Sequence, residues 1–215
     1  MTARLAALLL ALAAIGWWYS PLSPRVPAVA PPIAGAVPRC PLPPQVLANQ
    51  PPLQSPVPED LAPMRLQAAT LTPLAGFSVD ARVLSREDYQ LGRESELSPT
   101  DLALGWGRMR DDDVLARLDI SQSGRWYHYA WRGDPPLPPA EIVQSSANMH
   151  MIPATRAVAE ALHRVHRDDR VRIDGWLVEA ATPDGWHWRS SLTRDDSGGG
   201  ACEVVYVCAL AVEPH

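Results

Sequence analysis

The stretch Asp184-Gly-Trp-His-Trp-Arg-Ser-Ser-Leu-Thr-Arg-Asp-Asp-Ser-Gly-Gly-Gly-Ala-Cys-Glu203 gathers aromatic, basic, acidic and thiol side chains into twenty residues. Large and polar residues alternate at its start, which predicts a strand with Trp186 and Trp188 facing the core and His187 facing outward. Three glycines follow in a loop, and Cys202 begins a second strand. The stretch therefore predicts a strand, a glycine-rich hairpin and another strand.

The chain before this stretch predicts an α+β domain. A helix is expected from Thr155 to about Val165, where apolar residues recur every three or four positions. Ser98 and Asp111 are predicted to open two short helices, because serine caps and acidic residues favour a helix N-terminus. The segments that alternate as strands do are residues 77–89, 120–131, 171–179, 186–192 and 202–212. We expect a small curved antiparallel sheet or a small closed barrel that carries one main helix.

Proline is distributed unevenly, since fifteen of the 23 prolines fall between Pro21 and Pro73. Such a segment favours the extended polyproline conformation and acts as a semi-rigid spacer. We therefore predict a linker over residues 21–73 and one globular domain over residues 74–215. The net charge of -5 and the lack of a basic block argue against nucleic acid as a partner, because that binding depends on neutralising phosphates.

The N-terminal segment, residues 1–20, has the features of a membrane-targeting element. Arg4 precedes the apolar run of residues 5–15, and the aromatic cluster of residues 17–19 follows it. The run is short for a membrane span, which takes about 20 residues, and suits the apolar part of a signal peptide. Aromatic residues prefer the membrane interface, which favours an uncleaved, single-pass signal anchor in the inner membrane over a cleaved signal peptide. Either alternative exports the domain to the periplasm.

The chain has three cysteines, Cys40, Cys202 and Cys208. Cys202 and Cys208 lie in one predicted strand, about 20 Å apart at ~3.3 Å per residue, whereas a disulfide needs Cα atoms within about 7 Å. We therefore expect no bond between these two. The sequence identifies no partner for Cys40, which is expected to be either an unpaired or an intermolecular thiol.

Three residues are candidates for catalysis. Cys202 follows the glycines, while Asn148 and His150 lie in a polar segment before the predicted helix. A cysteine nucleophile needs a histidine to hold the thiolate and a third group to orient the imidazole. The competing interpretations are a buried strand cysteine and a histidine that satisfies buried backbone groups.

The glycine-rich loop is a candidate for ligand binding. Its backbone N–H groups are free to converge on an anion, with His187, Arg194 and Asp195 nearby. The competing interpretation is a plain hairpin turn in which Asp195 caps its own backbone. Neither metal-ligand spacing nor a cofactor motif is present, so we expect no metal and no cofactor.

Four blocks of the chain are distinctive as a set: LGWG at residues 104–107, SQSGRWY at 121–127, SANMHMIP at 146–153 and DGWHWRSSLTRDDSGGGACE at 184–203. Together they resemble a family of uncharacterised bacterial envelope proteins, which implies one exported bacterial domain and no particular activity. In addition, Arg167-Asp-Asp-Arg-Val-Arg-Ile-Asp-Gly-Trp-Leu-Val178 resembles the opening strand of an OB-like barrel, with a charged turn, alternating residues and a glycine that permits a bend.

These observations favour a membrane-tethered periplasmic domain that binds a ligand or a protein partner and catalyses no reaction. A tether and a spacer position a domain and supply no chemistry. An envelope protein or a small anionic ligand is the expected partner. The alternative is a hydrolase or transferase that uses Cys202 or His150.

Overall fold

The computed structural model describes residues 3–18, 26–35, 40–193 and 202–213, and shows a mixed α+β protein with one large sheet. The helices are α1 Ala3–Trp18, α2 Asp112–Leu115, α3 Pro139–Gln144 and α4 Arg156–His163. Short 3₁₀ turns lie at Arg93–Glu96 and Gly107–Arg110. The strands are β1 Leu53–Ser55, β2 Met64–Arg65, β3 Thr70–Asp88, β4 Thr100–Gly105, β5 Asp119–Ser123, β6 Trp126–Ala130, β7 Ser146–Pro153, β8 Arg170–Ala181, β9 His187–Arg189 and β10 Glu203–Glu213.

The large sheet has eight strands in the order β1-β3-β4-β7-β10-β8-β9, with β2 attached to β3. β3 also pairs with β8, so β3, β4, β7, β10 and β8 follow one another around a closed ring. The pairs in this ring are antiparallel, apart from the parallel pair of β7 and β10. The sheet is larger than the small sheet predicted, because β1 and β2 are too short to produce a periodic signal and β4 and β7 were not predicted as strands.

The long curved strands β3 and β8 pair along most of their length. β3 contains most of the strand predicted over residues 77–89, and the segment around Gly175, predicted as one strand or two, is the single strand β8. A side chain at Gly175 would overlap the carbonyl oxygen of Tyr206 on β10. Glycine at this position therefore allows two ring strands to approach each other closely.

One apolar cluster fills the interior of the ring. Each ring strand contributes to it, for example through Phe77, Leu102, Met149, Ile173 and Val205, none of which has exposed surface. These residues alternate with residues of the opposite face, as the strand period of two requires.

Helix α4 covers the cluster and confirms the helix predicted from Thr155. The Thr155 side chain accepts a hydrogen bond from the N–H of Val158, which satisfies one of the N-terminal donors that a helix leaves without a partner. Val158 and Leu162 lie one turn apart and pack on the ring interior.

The helix predicted after Ser98 is wrong, because Thr100–Gly105 is strand β4 and is buried along its whole length. β4 pairs with β3 on one side and β7 on the other. Hydrogen bonding to two neighbours outweighs the weak local preference for a helix. The second predicted short helix forms as α2, while residues 140–152, for which no structure was predicted, form α3 and β7.

The strand predicted over residues 120–131 is a hairpin, formed by β5 and β6 as a separate two-stranded sheet. We call it the β5–β6 hairpin. Tyr127 and Tyr129 pack on an apolar cluster distinct from the one inside the ring. Trp126 and His128 are exposed on the opposite face, as the alternation predicted.

Residues 40–61 lie along the sheet, although they fall within the stretch for which we predicted an extended linker. We call them the N-terminal strap. Cys40 is joined to Cys208 of β10 by a disulfide, with 5.2 Å between the Cα atoms. β1, within the strap, pairs with β3, and the Trp176 indole donates to the Pro41 carbonyl at 2.8 Å. Proline lacks an N–H but keeps its carbonyl acceptor, so a proline-rich segment can still pack on a sheet.

Two buried acids hold the middle of the strap. Asp174 accepts a hydrogen bond from Gln45 Nε2 at 2.7 Å, and Asp80 accepts one from the N–H of Asn49 at 2.7 Å. Cys40, for which an unpaired or intermolecular thiol was expected, is part of the same attachment through its disulfide.

Helix α1 carries the apolar run of the N-terminus, and most of its side chains are exposed. Among the described residues, no helix combines the length and the apolar character that crossing a membrane requires.

Candidate functional site

The candidate site lies on the outer face of the neighbouring ring strands β4 and β7. Their register pairs Asp101 with His150 and Ala103 with Asn148. Because side chains alternate along a strand, Asp101, Asn148 and His150 share this face, while the residues between them fill the ring interior. Two of the three, Asn148 and His150, were candidates from the sequence, and the structure adds Asp101.

The Asp101 carboxylate is fully buried and has partners at both oxygens. Oδ1 accepts a hydrogen bond from Arg125 Nη1 at 2.8 Å. Oδ2 lies 2.9 Å from His150 Nδ1 and accepts a 3.4 Å hydrogen bond from Asn148 Nδ2. A buried carboxylate is expected to be paired in this way, because an uncompensated charge away from water is costly.

His150 and Asp101 are in contact without a well-aligned hydrogen bond. The two atoms are at ion-pair distance, yet Nδ1 of the buried imidazole makes no hydrogen bond of acceptable geometry. The separation shows that the two groups face each other, and the poor alignment shows that the imidazole is not held as an orienting carboxylate holds a catalytic histidine.

Arg125 at the tip of the β5–β6 hairpin reaches into the site. Gly124 and Arg125 have φ values of 55° and 67°, as the two central residues of a tight hairpin turn require. The guanidinium also donates to the Ser98 carbonyl at 3.0 Å. The Arg125 backbone is bound too, because its N–H donates to Tyr89 Oη at 2.8 Å and its carbonyl accepts from Asn148 Nδ2 at 3.1 Å.

Two aromatic rings lie close to the Arg125 guanidinium. Its central carbon lies 4.2 Å from the ring centroid of Tyr89 and 5.4 Å from that of Trp188, both within the range of cation–π attraction. The ring of Trp188 also lies 4.5 Å from that of His150. We call this space the Asp101 pocket, which is formed by Tyr89, Ser98, Asp101, Asn148, His150 and Trp188.

Trp186 and Trp188 are half-buried, so the prediction that they face the core is wrong in part. They pack against the apolar cluster on the outer side of the ring, because β9 pairs with β8 at the end of the sheet and the ring interior is already filled. Arg93 lies 5.5 Å from the Trp186 ring centroid and forms a 3.0 Å ion pair with Asp184. The β9 side of the site is therefore aromatic and basic.

Two titratable groups beside the pocket are affected by burial. Burial raises the pKa of the Tyr89 hydroxyl, although the hydrogen bond from the Arg125 N–H acts in the opposite direction. Burial also raises the pKa of the Glu87 carboxyl, and the charges of Asp88 and Asp101 raise it further. Tyr89 therefore keeps its proton at neutral pH and accepts the Arg125 N–H as a neutral hydroxyl.

Of the predicted ligand-binding residues, the structure describes His187, which lies outside the Asp101 pocket. His187 is exposed on β9 and faces away from the tryptophans, as predicted, and the neighbouring Arg189 pairs with Glu179 of β8 at 2.5 Å. Arg194 and Asp195 fall outside the described residues.

Cys202, the third catalytic candidate, is half-buried in the bend before β10, where its carbonyl accepts a hydrogen bond from the N–H of Ser191 at 3.0 Å. β10 is the strand next to β7. The structure thus brings Asn148 and His150 together around Asp101 and places Cys202 at the start of the neighbouring strand.

The buried Asp101 carboxylate and the nearby rings of Tyr89 and Trp188 are suited to holding a cation. Among the residues that the structure describes, no three histidine, cysteine or acidic side chains are grouped to ligate a metal ion.

A cleft of about 470 Å³ opens next to the site, with Asp88, Tyr89, Glu96 and His163 among the residues of its wall. His150 faces the closed pocket, where 3 % of its surface is exposed.

Sequence reasoning missed Asp101, Arg125 and Tyr89. Asp101 was assigned to a helix, and Arg125 was read as one residue of a continuous strand. The one local signal was Gly124, since a glycine between two alternating runs marks a hairpin turn. In comparisons with known proteins, no protein-family model and no curated protein matches this chain.

Proposed function

We propose that the protein is a non-enzymatic binding domain of the bacterial envelope, which binds a ligand or a protein partner at the outer face of β4 and β7. One observation carries the proposal. The polar side chains of Asp101, Asn148 and His150 lie on this face between two connections that bear aromatic residues, Tyr89 after β3 and Trp188 in β9. Convergent polar groups between aromatic walls are typical of a ligand site.

The strand order supports an OB-like barrel as the finer description of the fold. Barrels of this type have five strands and bind ligands on the face of the second and third strands, between the loop that joins strands one and two and the loop that joins strands four and five. In the closed ring of this chain, β4 and β7 are the second and third strands along the sequence. Tyr89 lies in the first of the two corresponding connections, and Trp188 lies in the second.

Export to the periplasm has support from the Cys40–Cys208 disulfide, because such bonds persist in oxidising compartments. In this proposal the N-terminal segment holds the protein in the inner membrane as a single-pass anchor, or directs secretion and is then cleaved. The exposed apolar surface of α1 suits either role.

Binding has more support than catalysis. His150 is buried beside Asp101 and under Trp188, so its imidazole has little access to a substrate. General acid–base catalysis needs the imidazole within hydrogen-bond reach of the reacting group. A hydrolase or transferase that uses Cys202 or His150 therefore remains the less supported hypothesis.

Site-specific photo-crosslinking of the full-length chain in the native bacterium tests the proposal. A photoreactive residue is placed at Arg93 or at His187, two exposed positions beside Trp186 and Trp188. A matched control position is Leu47, which is 76 % exposed on the N-terminal strap. We expect the same discrete crosslinked species from positions 93 and 187 and none from position 47.

The proposal fails if none of the three positions gives a crosslinked species above background, or if position 47 gives the same species as the other two. Addition of Asp101→Asn should abolish crosslinking from positions 93 and 187 when the crosslinked species is normalised to the amount of protein, which the lower stability of the variant is expected to reduce. If the Asp101→Asn variant crosslinks as strongly as the parent protein, the partner does not bind at this face.

A further inference from the structure

The Asp101 pocket already holds a complete arginine residue. The guanidinium of Arg125 is paired with the Asp101 carboxylate and bonded to the Ser98 carbonyl. Its central carbon lies within cation–π range of the rings of both Tyr89 and Trp188. A planar cation with a fork of donors fits this combination of acid, carbonyl and aromatic walls better than a compact ammonium group does.

The pocket also binds the main chain of the residue it holds. The N–H of Arg125 donates to Tyr89 Oη, and the Arg125 carbonyl accepts from Asn148 Nδ2. These contacts select an arginine within a polypeptide and add nothing for a free guanidinium compound. The pocket therefore has the specificity of an arginine-recognition site.

The hairpin that supplies Arg125 packs on the barrel but does not share its hydrogen-bonded sheet. β5 and β6 hydrogen-bond to each other as their own two-stranded sheet. Arg125 has a left-handed backbone conformation, which is unfavourable for a residue with a side chain and persists only where the surroundings hold it. The hairpin is further held by apolar packing, because its own residue Ile120 is buried in an apolar cluster.

We propose that the Asp101 pocket recognises an arginine residue of a partner polypeptide, and that Arg125 occupies it until the β5–β6 hairpin lifts. This inference rests on the proposed function, because it names the partner chemistry and the regulation of the same face. The Arg125 side chain acts as an internal competitor. The apparent affinity for a partner then falls with the fraction of molecules in which the hairpin is docked.

Arg125→Ala empties the side-chain part of the pocket and leaves the hairpin in place. We expect this variant to bind methylguanidinium at least ten-fold more tightly than the wild-type chain, measured by NMR titration of the Trp188 indole N–H signal, which is assigned with Trp188→Phe. If Arg125→Ala does not fold, Arg125→Gln serves in its place, because it keeps the aliphatic part of the side chain and a polar end but removes the guanidinium. Unchanged affinity in a folded variant would overturn the proposal.

Ile120→Ala tests the lifting of the hairpin, because it weakens the packing beneath the hairpin and leaves every residue of the pocket intact. We expect it to bind N-acetyl-arginine-N-methylamide at least ten-fold more tightly than the wild type does, and more tightly than it binds methylguanidinium. The capped lysine analogue should bind more weakly than the capped arginine. If Ile120→Ala binds the capped arginine and methylguanidinium with equal affinity, the pocket does not recognise the main chain of a polypeptide. If its affinity for the capped arginine does not exceed that of the wild type, the hairpin is not displaced by the ligand.

Arg93→Ala is the matched control, since Arg93 also lies over a tryptophan and pairs with an acid, but at an exposed position. It should create no guanidinium site. A gain equal to that of Arg125→Ala would mean that the probe responds to any missing arginine, which contradicts the proposal. Probe binding by the variants without any crosslink in cells would count against the envelope function alone, whereas crosslinks without probe binding would count against arginine recognition alone.

Discussion

Asp101 and Arg125, which are 24 residues apart, form an ion pair in which Oδ1 and Nη1 are 2.8 Å apart and the acid has no exposed surface. The pair attaches the tip of the β5–β6 hairpin to ring strand β4. Burying two charges costs desolvation energy, which their attraction offsets only when the geometry is good. The net stabilisation by the pair is therefore small, whereas removing one partner leaves a buried charge uncompensated and lowers the stability strongly.

Asp101→Asn should therefore lower the free energy of unfolding by about 3–5 kcal/mol, the usual cost of leaving one member of a buried pair without its partner. Asparagine keeps the size of the side chain but removes the charge that faces Arg125 and His150. Urea unfolding of the purified full-length protein measures the change. Asp184→Asn is the matched control, because Asp184 pairs with Arg93 at the surface, and it should leave the midpoint unchanged. Equal midpoints for the two variants would contradict the importance of burial.

Reduction of the Cys40–Cys208 disulfide should destabilise the protein by about 2–5 kcal/mol, because the bond closes a long loop and restricts the unfolded chain. Thermal unfolding with and without dithiothreitol measures the effect. Cys208→Ser should unfold as the reduced wild type does and should be insensitive to reductant. If the thermal midpoint of the wild type does not respond to reductant, the disulfide does not hold the strap.

Gly175→Ala should destabilise the domain by roughly 1–3 kcal/mol or more, since the added methyl group overlaps the Tyr206 carbonyl between two ring strands. Chemical unfolding followed by tryptophan fluorescence is the measurement. Gly16→Ala in α1 is the control, because its new methyl group meets no atom within 4 Å. A Gly175→Ala variant as stable as Gly16→Ala would mean that β8 and β10 are not in close contact at this point.

Stability should fall as the pH rises above 10. Burial raises the pKa values of Tyr127 and Tyr206 to about 12. Between pH 10 and 12 the unfolded chain therefore releases protons that the folded chain keeps, and the free energy of unfolding decreases with pH. The loss at pH 11 should be on the order of 1 kcal/mol for each tyrosine. Tyr206→Phe should remove its share of the slope measured between pH 9 and pH 11, whereas an unchanged slope would exclude the Tyr206 hydroxyl as its source.

Cys202 should behave as a structural cysteine. Its thiol is the one outside the disulfide, so oxidised native protein can be labelled with a maleimide at this position alone. We expect labelling at pH 7 to be slower than that of an unstructured cysteine peptide, because partial burial restricts access to the thiol. His150→Ala should leave the rate within about two-fold of the wild-type rate if the imidazole does not activate the thiol. Fast labelling that depends on His150 would favour the hydrolase or transferase hypothesis.

Local patterns in the sequence predicted a considerable part of the fold. Alternation identified β3, β8, β10 and the two faces of β6, and the apolar stripe predicted α4 from Thr155. These features depend on residues a few positions apart, for which backbone geometry sets the period. The same reasoning failed at Thr100, where a serine, a proline and an acid suggested a helix and two neighbouring strands impose a strand.

The candidate site was predicted less completely. Asn148 and His150 were identified by residue type, but the groups they face, Asp101 and Arg125, carry no signal in their own segments. Strand register brings Asp101 opposite His150 from 49 positions away in the sequence, and the turn at Gly124 directs Arg125 onto both.

The sequence by itself determined an α+β domain rich in alternating strands, one amphipathic helix and a strand whose Gly175 permits a bend. Only the tertiary structure decided that the strands close into a ring, that a proline-rich segment becomes a strap held by Cys40 and Cys208, and that Arg125 occupies the Asp101 pocket. The physical reason is the range of the forces involved. Periodicity and capping act over one or two turns of chain, whereas a disulfide across 168 residues and a buried ion pair across 24 exist only after the chain has packed.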